Sequence, residues 1–462
     1  MRRWSGRAVF GMILAVAGCA GPGGGWRIEV TPLGSADTQP AQPAAGQGRV
    51  VIETLPNAKV RAVVDGQPGP EFDDIRGSFN VGGWNRYGGD FVVPGGRISY
   101  AGRTGSKWSM VIDGKRGPES DRLPVSPVFT PDGRHSIYAV DIAGRQHVVI
   151  DGVLSPGYEH VEPWGFSPDD RPFYVARAKG KSRLVLDGRS GAEFDAVGVP
   201  VFSADGRRVA YVGVEEVGQQ RFERLVVDGN VGDRAGGSIC EVLFSPDGRR
   251  LAYTVFRERL AEGNEQSGFV VLDGVPGERF EWVSDITFSP DSTRLAYVGH
   301  RGDRSTVVLD GRKDRLSWPQ VGQICWCPGH NPFLFSADSR RLAYVAVSRL
   351  EPRHGFLPEH DLVIVLDGQA QDRWKAWPTH FDPIGLFSPD GRHFAFIAYG
   401  RRPGFLRVIV DGTEGPEFGS ISGLRFLPDG SVEYQACPPK QSTCYRVRHI
   451  KRSPESRGHM PR

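Results

Sequence analysis

The sequence predicts an all-β protein, a β-propeller of repeated four-stranded antiparallel blades in about ten sequence units, and three observations carry that expectation. Glycine (61) and proline (35) make up roughly a fifth of the 462 residues, too many for a helical bundle and too evenly spread for collagen. A short phrase ending in Asp-Gly recurs with a period near 40. A second phrase, built on Phe-Ser-Pro-Asp-Gly, interleaves with the first.

The chain opens on an address. Arg2, Arg3 and Arg7 precede an apolar run from Ala8 to Ala17 that is too short to span a bilayer, the pattern of a secretory signal over residues 1–18. Val16-Ala17-Gly18-Cys19 resembles the lipobox of bacterial lipoproteins. The resemblance implies cleavage before Cys19 and a diacylglycerol on its sulfur, and several acyl chains on one residue hold a protein stably at a membrane. Ala20, in place of an acidic residue, resembles the outer-membrane sorting signal of Gram-negative lipoproteins. The expected location is thus a lipid anchor, in the outer membrane and facing the periplasm. Loss of the three arginines brings the formal net charge from +3 to zero, which leaves no clustered positive surface for nucleic acid. Residues 19–48, rich in Pro, Gln, Ala and Gly, read as a lipidated flexible tether.

The repeat array occupies residues 49–452, and residues 453–462 read as a disordered tail. The first phrase runs from Val63-Val64-Asp65-Gly66 to Ile409-Val410-Asp411-Gly412, its aspartates spaced 48, 38, 36, 41, 45, 37, 57 and 44 residues apart. The second is fullest at Phe244-Ser245-Pro246-Asp247-Gly248-Arg249-Arg250-Leu251-Ala252-Tyr253, with relatives starting at Phe129, Phe166, Phe202, Phe288, Phe335, Phe387 and Phe426. Pro presets φ for a turn, Asp accepts nearby backbone N–H groups and Gly takes positive φ, so both phrases mark hairpins between strands rich in Val, Leu, Ile and Tyr. Four strands in about 40 residues is the arithmetic of a propeller blade. The Phe-Ser-Pro-Asp-Gly-Arg-Arg-Leu-Ala-Tyr phrase resembles the TolB-type, WD-like propeller repeat of periplasmic proteins and of some peptidase propellers. That resemblance specifies fold far better than function. The first unit, led by Val50-Val51-Ile52, lacks the second phrase, and the last, from Phe426 to Ile450, lacks Asp-Gly. Ring closure by pairing the two termini would require two such incomplete units, and the absence of a linker favours one continuous body.

In a four-stranded blade, the turns after the first and third strands share one end of the sheet. Both phrases map there, and their aspartates are expected to serve backbone hydrogen bonds. Length variation falls at the opposite end, at Gly213 to Arg221, Arg257 to Gly268, Lys313 to Pro332, Ser348 to Asp361 and Ala370 to Pro383. These segments carry Trp318, Trp326, His330, His354, His360, Trp374, Trp377 and His380, a candidate binding face, since exposed aromatics on loops supply contact area at modest entropic cost. The competing reading makes the tryptophans plugs between blades.

Chemical motifs are sparse. Cys437 and Cys444 bracket the last expected hairpin and read as a disulfide in an oxidising compartment. Cys325-Trp326-Cys327-Pro328-Gly329-His330 lacks the two separated ligand pairs of a structural zinc site, so no metal is assigned, and Cys240 is left to pair with either cysteine or neither. There is no Gly-x-Ser-x-Gly, His-Glu-x-x-His or Walker loop, and no cofactor is implied. The expected function is non-enzymatic: a lipid-anchored propeller that presents a face to envelope proteins or a small ligand. The alternative is an envelope hydrolase or lyase with its site at the propeller mouth.

Overall fold

A computed structural model describes residues 26–32, 50–77, 92–93, 97–257, 267–321, 332–349, 361–371, 385–402, 404–439 and 443–451. Among them there is no helix, and the strands form ten antiparallel sheets. Numbered in chain order, these are sheet 1 (residues 50–72), 2 (74–120), 3 (128–154), 4 (160–190), 5 (196–234), 6 (238–276), 7 (282–313), 8 (320–370), 9 (386–414) and 10 (420–451). The chain divides into two compact units, where the sequence favours one continuous body. Residues 38–371 hold sheets 1 to 8, and residues 372–462 with 1–37 hold sheets 9 and 10.

Each sheet follows the grammar of the repeat. In sheet 7 the strands Trp282–Phe288, Leu295–Arg301, Arg304–Leu309 and Arg312–Lys313 pair in sequence order. First strands of neighbouring sheets lie side by side, as in sheets 5, 6 and 7. This is the architecture of a β-propeller.

The two turn phrases are one device. The Asp-Gly turns place Asp at φ between 46° and 53° and Gly between 73° and 86°, the two left-handed residues of a type I′ hairpin turn. Asp228 shows what the side chain adds. Its N–H donates to the Val209 carbonyl (2.8 Å), and its Oδ1 accepts the Val209 N–H (2.9 Å), so the third-strand turn grips the start of the second strand. Its Oδ2 accepts Arg208 Nε (2.9 Å), and the same guanidinium reaches into sheet 6, donating to the carbonyls of Gly248 (3.0 Å) and Arg249 (3.1 Å). Arg250 with Asp273 and Arg294 with Asp310 repeat the clasp onto sheets 7 and 8. In sheets 3 and 9 a histidine takes the arginine's place: His135 on Asp151 (2.8 Å) and His393 on Asp411 (2.5 Å). In the second phrase Ser245 donates to Asp247 (2.6 Å) and accepts the Arg250 N–H (3.0 Å), closing that turn on itself. The aspartates therefore carry the backbone role expected of them.

Sheets lock to one another through a tyrosine. The tyrosine of Leu-Ala-Tyr is buried at Tyr297 and Tyr344, as are Tyr138 and Tyr211 at the same strand position, and burial pushes Tyr138 and Tyr297 up to about 12. The hydroxyls of Tyr138, Tyr211 and Tyr297 reach the glycine that follows the Asp-Gly turn of the preceding sheet, whereas that of Tyr344 donates to Asp314 (2.7 Å) at this position. A Cβ on Gly191 would stand 2.6 Å from the Tyr211 hydroxyl, so only glycine fits there.

Sheet 10 corrects the reading of residues 19–48 as tether throughout. Trp26–Pro32 is a strand, paired antiparallel with Tyr445–Lys451 from Trp26↔Lys451 to Pro32↔Tyr445, and it supplies the fourth strand that this sheet lacks. Trp26 enters the core shared by sheets 9 and 10, which is enough burial to fix a short strand in a polar context. The termini do meet, but through a segment outside the repeat. Sheet 1 has three strands among the described residues. The expected loop Gly213 to Arg221 is a hairpin extension, Val217 pairing with Gln220 around Gly218, because the alternation of Val with charged residues continues the ladder. Cys437 and Cys444 form a disulfide with Cα atoms 4.3 Å apart.

Gly191→Ala is expected to lower stability by about 1–3 kcal/mol through overpacking. Tyr211→Phe added to it, by removing the hydroxyl in the way, should restore part of that loss. Urea unfolding of the three variants measures both effects.

Candidate functional site

At the end of the sheets opposite the fixed turns, two clefts flank the first strand of sheet 6. One, about 430 Å³, lies between sheets 6 and 7 and is lined by Cys240, Glu241, Thr254, Phe256, Trp282 and Val283. The other, about 290 Å³, lies between sheets 5 and 6, with Val199, Tyr211, Arg221, Glu223 and Cys240 among its walls. Cys240 belongs to both.

Irregular backbone aims these side chains. Strand Ser238–Phe244 shifts register between Ile239 and Val242, and strand Trp282–Phe288 shifts between Ser284 and Thr287. Such bulges insert an extra residue and turn its side chain away from the ladder. In sheet 6 the bulged residues are Cys240 and Glu241, which together oppose Thr254. In sheet 7 they include Asp285, which sits at φ 58°, a strained position for a residue with a side chain.

Glu241 spans the cleft. Its own N–H donates to Thr254 Oγ1 (3.0 Å), and its carboxylate accepts the Ile286 N–H of the opposing bulge (3.3 Å). Water reaches this side chain from the cleft while protein encloses its other sides. That partial desolvation, with the Asp285 charge beside it, pushes Glu241 above the usual carboxylate range. Desolvation likewise raises Asp285, against the lowering effect of the Ser284 hydroxyl. Cys240 carries a free thiol, and burial together with Glu223 and Glu241 pushes it up, so it stays protonated and is a weak nucleophile.

Trp282 is the most conspicuous wall, 41% exposed at the cleft mouth. Its ring stacks on His300 with centroids 3.4 Å apart and planes 2° from parallel. His300 is fixed in turn, with Nε2 3.1 Å from Ser284 Oγ and Nδ1 2.9 Å from Ser305 Oγ. Burial depresses its imidazole to about 4, so the ring is neutral at neutral pH. Ser284 donates to Asp285 Oδ2 (2.6 Å). With the Ser284 proton on Asp285, His300 donates from Nε2 to Ser284 and accepts from Ser305 at Nδ1. The serine, histidine and aspartate are close, yet the carboxylate holds the serine and not the imidazole. This is a mounting for Trp282, not the ordering of a hydrolytic triad.

Of the residues expected on a binding face, only Trp318 lies among the described ones. It is a filler. Its backbone pairs with Ser305 (2.7 and 2.9 Å), and its ring packs on the core that holds Val307 and Tyr344. Tyr158, Phe194, Phe280 and Phe418 make the same bridge in other sheets, and a large ring there closes the gap to the next sheet. Trp326, His330, His354, His360, Trp374, Trp377 and His380, with Cys19, Cys325 and Cys327, lie outside the described residues, as do residues 1–18 and 453–462. Among the described residues no group of His, Cys, Asp and Glu is arranged to hold a metal. Glu241, Trp282, Asp285 and His300 escaped the sequence reading. The available signal was an acidic residue inside a first strand, at Cys240-Glu241 and Ser284-Asp285.

No family model matches this sequence, and no curated protein matches it. Solved structures similar to it include a eukaryotic initiation factor, at 14% identity and TM-score 0.34, covering 76% of this chain and 92% of that one. TolB from Acinetobacter baumannii is similar at 18% identity and TM-score 0.23, covering 47% of this chain and 62% of that one. The Dos1 propeller follows at 14% identity and TM-score 0.28, covering 71% and 92%. The class of the protein rests on its own repeated sheets: it is a β-propeller.

The neutral His300 gives the site an acid limb. A histidine whose folded value lies below its unfolded value of about 6.5 stabilises the fold above that pH. This contribution is lost as pH falls through about 4. Between pH 7 and pH 5 the loss should be about 2 kcal/mol, and His300→Gln should remove that share of the pH dependence in urea unfolding.

Proposed function

We propose that this chain is a non-enzymatic, lipid-anchored β-propeller of the bacterial cell envelope that works by binding, with its recognition surface at the clefts beside Cys240. The observation that carries the reading is Trp282: an exposed indole, held flat by a neutral imidazole, at the mouth of a cleft large enough for a small ligand or a side chain of a partner protein. A pre-set aromatic anchor contributes contact area without an ordering cost on binding.

The lipid anchor at Cys19 rests on Val16-Ala17-Gly18-Cys19, and Ala20 supports an outer-membrane location facing the periplasm. Partners are then envelope proteins or a small periplasmic ligand, and the neutral mature chain disfavours nucleic acid. The alternative of an envelope hydrolase or lyase draws on the raised Glu241 and Asp285. Against it, Glu241 is engaged by backbone N–H, Asp285 by Ser284, and the Cys240 thiol is protonated.

Cys19→Ala should move the protein from the membrane pellet to the soluble fraction, and its persistence in the pellet would contradict the anchor. Trp282→Ala should cost about 2 kcal/mol of partner affinity, roughly 30-fold, with the fold retained. Affinity capture from detergent-solubilised envelopes, with the wild type alongside, reads that loss.

A further inference from the structure

The seam of sheet 10 pairs a strand from outside the repeat, Trp26–Pro32, with Tyr445–Lys451, and two histidines lie on it. His393 occupies the clasp position that Arg208, Arg250 and Arg294 fill elsewhere. Its Nδ1 is 2.5 Å from Asp411 Oδ2, and its Nε2 is 3.2 Å from the ammonium of Lys451, the residue paired with Trp26. Its ring meets the Trp26 indole edge-on at 5.3 Å. Around it stand Asp411 and Asp390 from sheet 9, its neighbour Arg392, Lys451 from sheet 10 and Trp26 from the seam strand.

His449 lies directly opposite Ile28 in the ladder and opposite Val432 on the other side. It is fully buried, its Nε2 is 3.2 Å from the Tyr434 hydroxyl, and its Nδ1 has no hydrogen-bond partner. Tyr434, Val432, Ile28 and Gly415, which pack against it, carry no charge. Directly paired residues share a face, so Ile28 sits beside His449 and Trp26 beside Lys451 on the same side of the sheet.

We infer that this seam is a pH-sensitive latch, in which acid releases the Trp26–Pro32 strand from sheet 10. A proton on His449 has no acceptor at Nδ1 and no counter-charge, so it is taken up when the flanking strand leaves. Burial lowers His449 to about 4, against about 6.5 in the open state, so the latch is closed at neutral pH and loses stability as pH falls below about 6.5.

Hydrogen exchange on the full-length protein, analysed as protection factors so that the intrinsic pH dependence cancels, tests the inference. From pH 7 to pH 5 the opening constant of the amides in residues 27–31 should rise about 20-fold from His449 alone. The ladder between Leu342–Arg349 and Asp361–Leu366 in sheet 8 serves as the internal reference. His449→Leu and His449→Gln should each flatten the response to a few-fold. His135→Arg, the matching clasp of sheet 3, should leave it intact. A seam that opens no more than the reference ladder, or a rise that survives both His449→Leu and His449→Gln, would overturn the inference. If His449→Leu fails to fold, the wild-type profile and His449→Gln decide the matter.

Discussion

The fold depends on one carboxylate, that of the aspartate in each Asp-Gly turn. A type I′ turn needs two consecutive residues at positive φ, and Asp tolerates this better than most side chains because it can hydrogen-bond locally. Here it does more than tolerate it. One oxygen holds the first amide of the second strand and the other holds a guanidinium that crosses to the next sheet, as at Asp228 and Asp273. Each ion pair is partly exposed and adds little by itself. The geometry is what matters: a single residue fixes turn, register and neighbour, so the array propagates by repetition without a separate linker for each interface.

With one end of nine of the ten sheets committed to this device, the other end is free to vary, and that is where the clefts lie. The bulges at Cys240-Glu241 and Ser284-Asp285 break the regular first strand and bring carboxyl groups and a thiol into a partly desolvated space. Such groups would arm an enzyme if a base were free to act on a nucleophile. Here Asp285 accepts from Ser284, Ser284 and Ser305 fix His300, His300 stacks on Trp282, and Glu241 is taken by the Ile286 N–H.

The architecture was legible because it is written many times over. Nine Asp-Gly phrases and the Phe-Ser-Pro-Asp-Gly relatives each report the same turn, so the ten units read from the sequence return as ten sheets. The site was not legible because it is written once. Glu241 and Asp285 matter for being departures from the repeat, and nothing in their spacing says that they face each other across two sheets. Trp318 misled for a related reason: a tryptophan on a long connection looks like a binding residue, but the register with Ser305 places it where Phe280 and Phe418 fill gaps in other sheets. The strand at Trp26–Pro32 was hidden by its surroundings, since its partner Tyr445–Lys451 lies at the far end of the chain and pairing over that distance leaves no local mark.

The central claim is that this propeller recognises its partner at the long-loop end, through the Trp282 cleft. Photo-crosslinking in intact cells tests it most directly, with the photoreactive residue placed in turn at Trp282 and at Arg249, which lies exposed on the fixed turns at the opposite end. Covalent adducts from position 282 that are absent from position 249 are the expected result. Adducts from position 249 alone, or from neither position, would contradict the account.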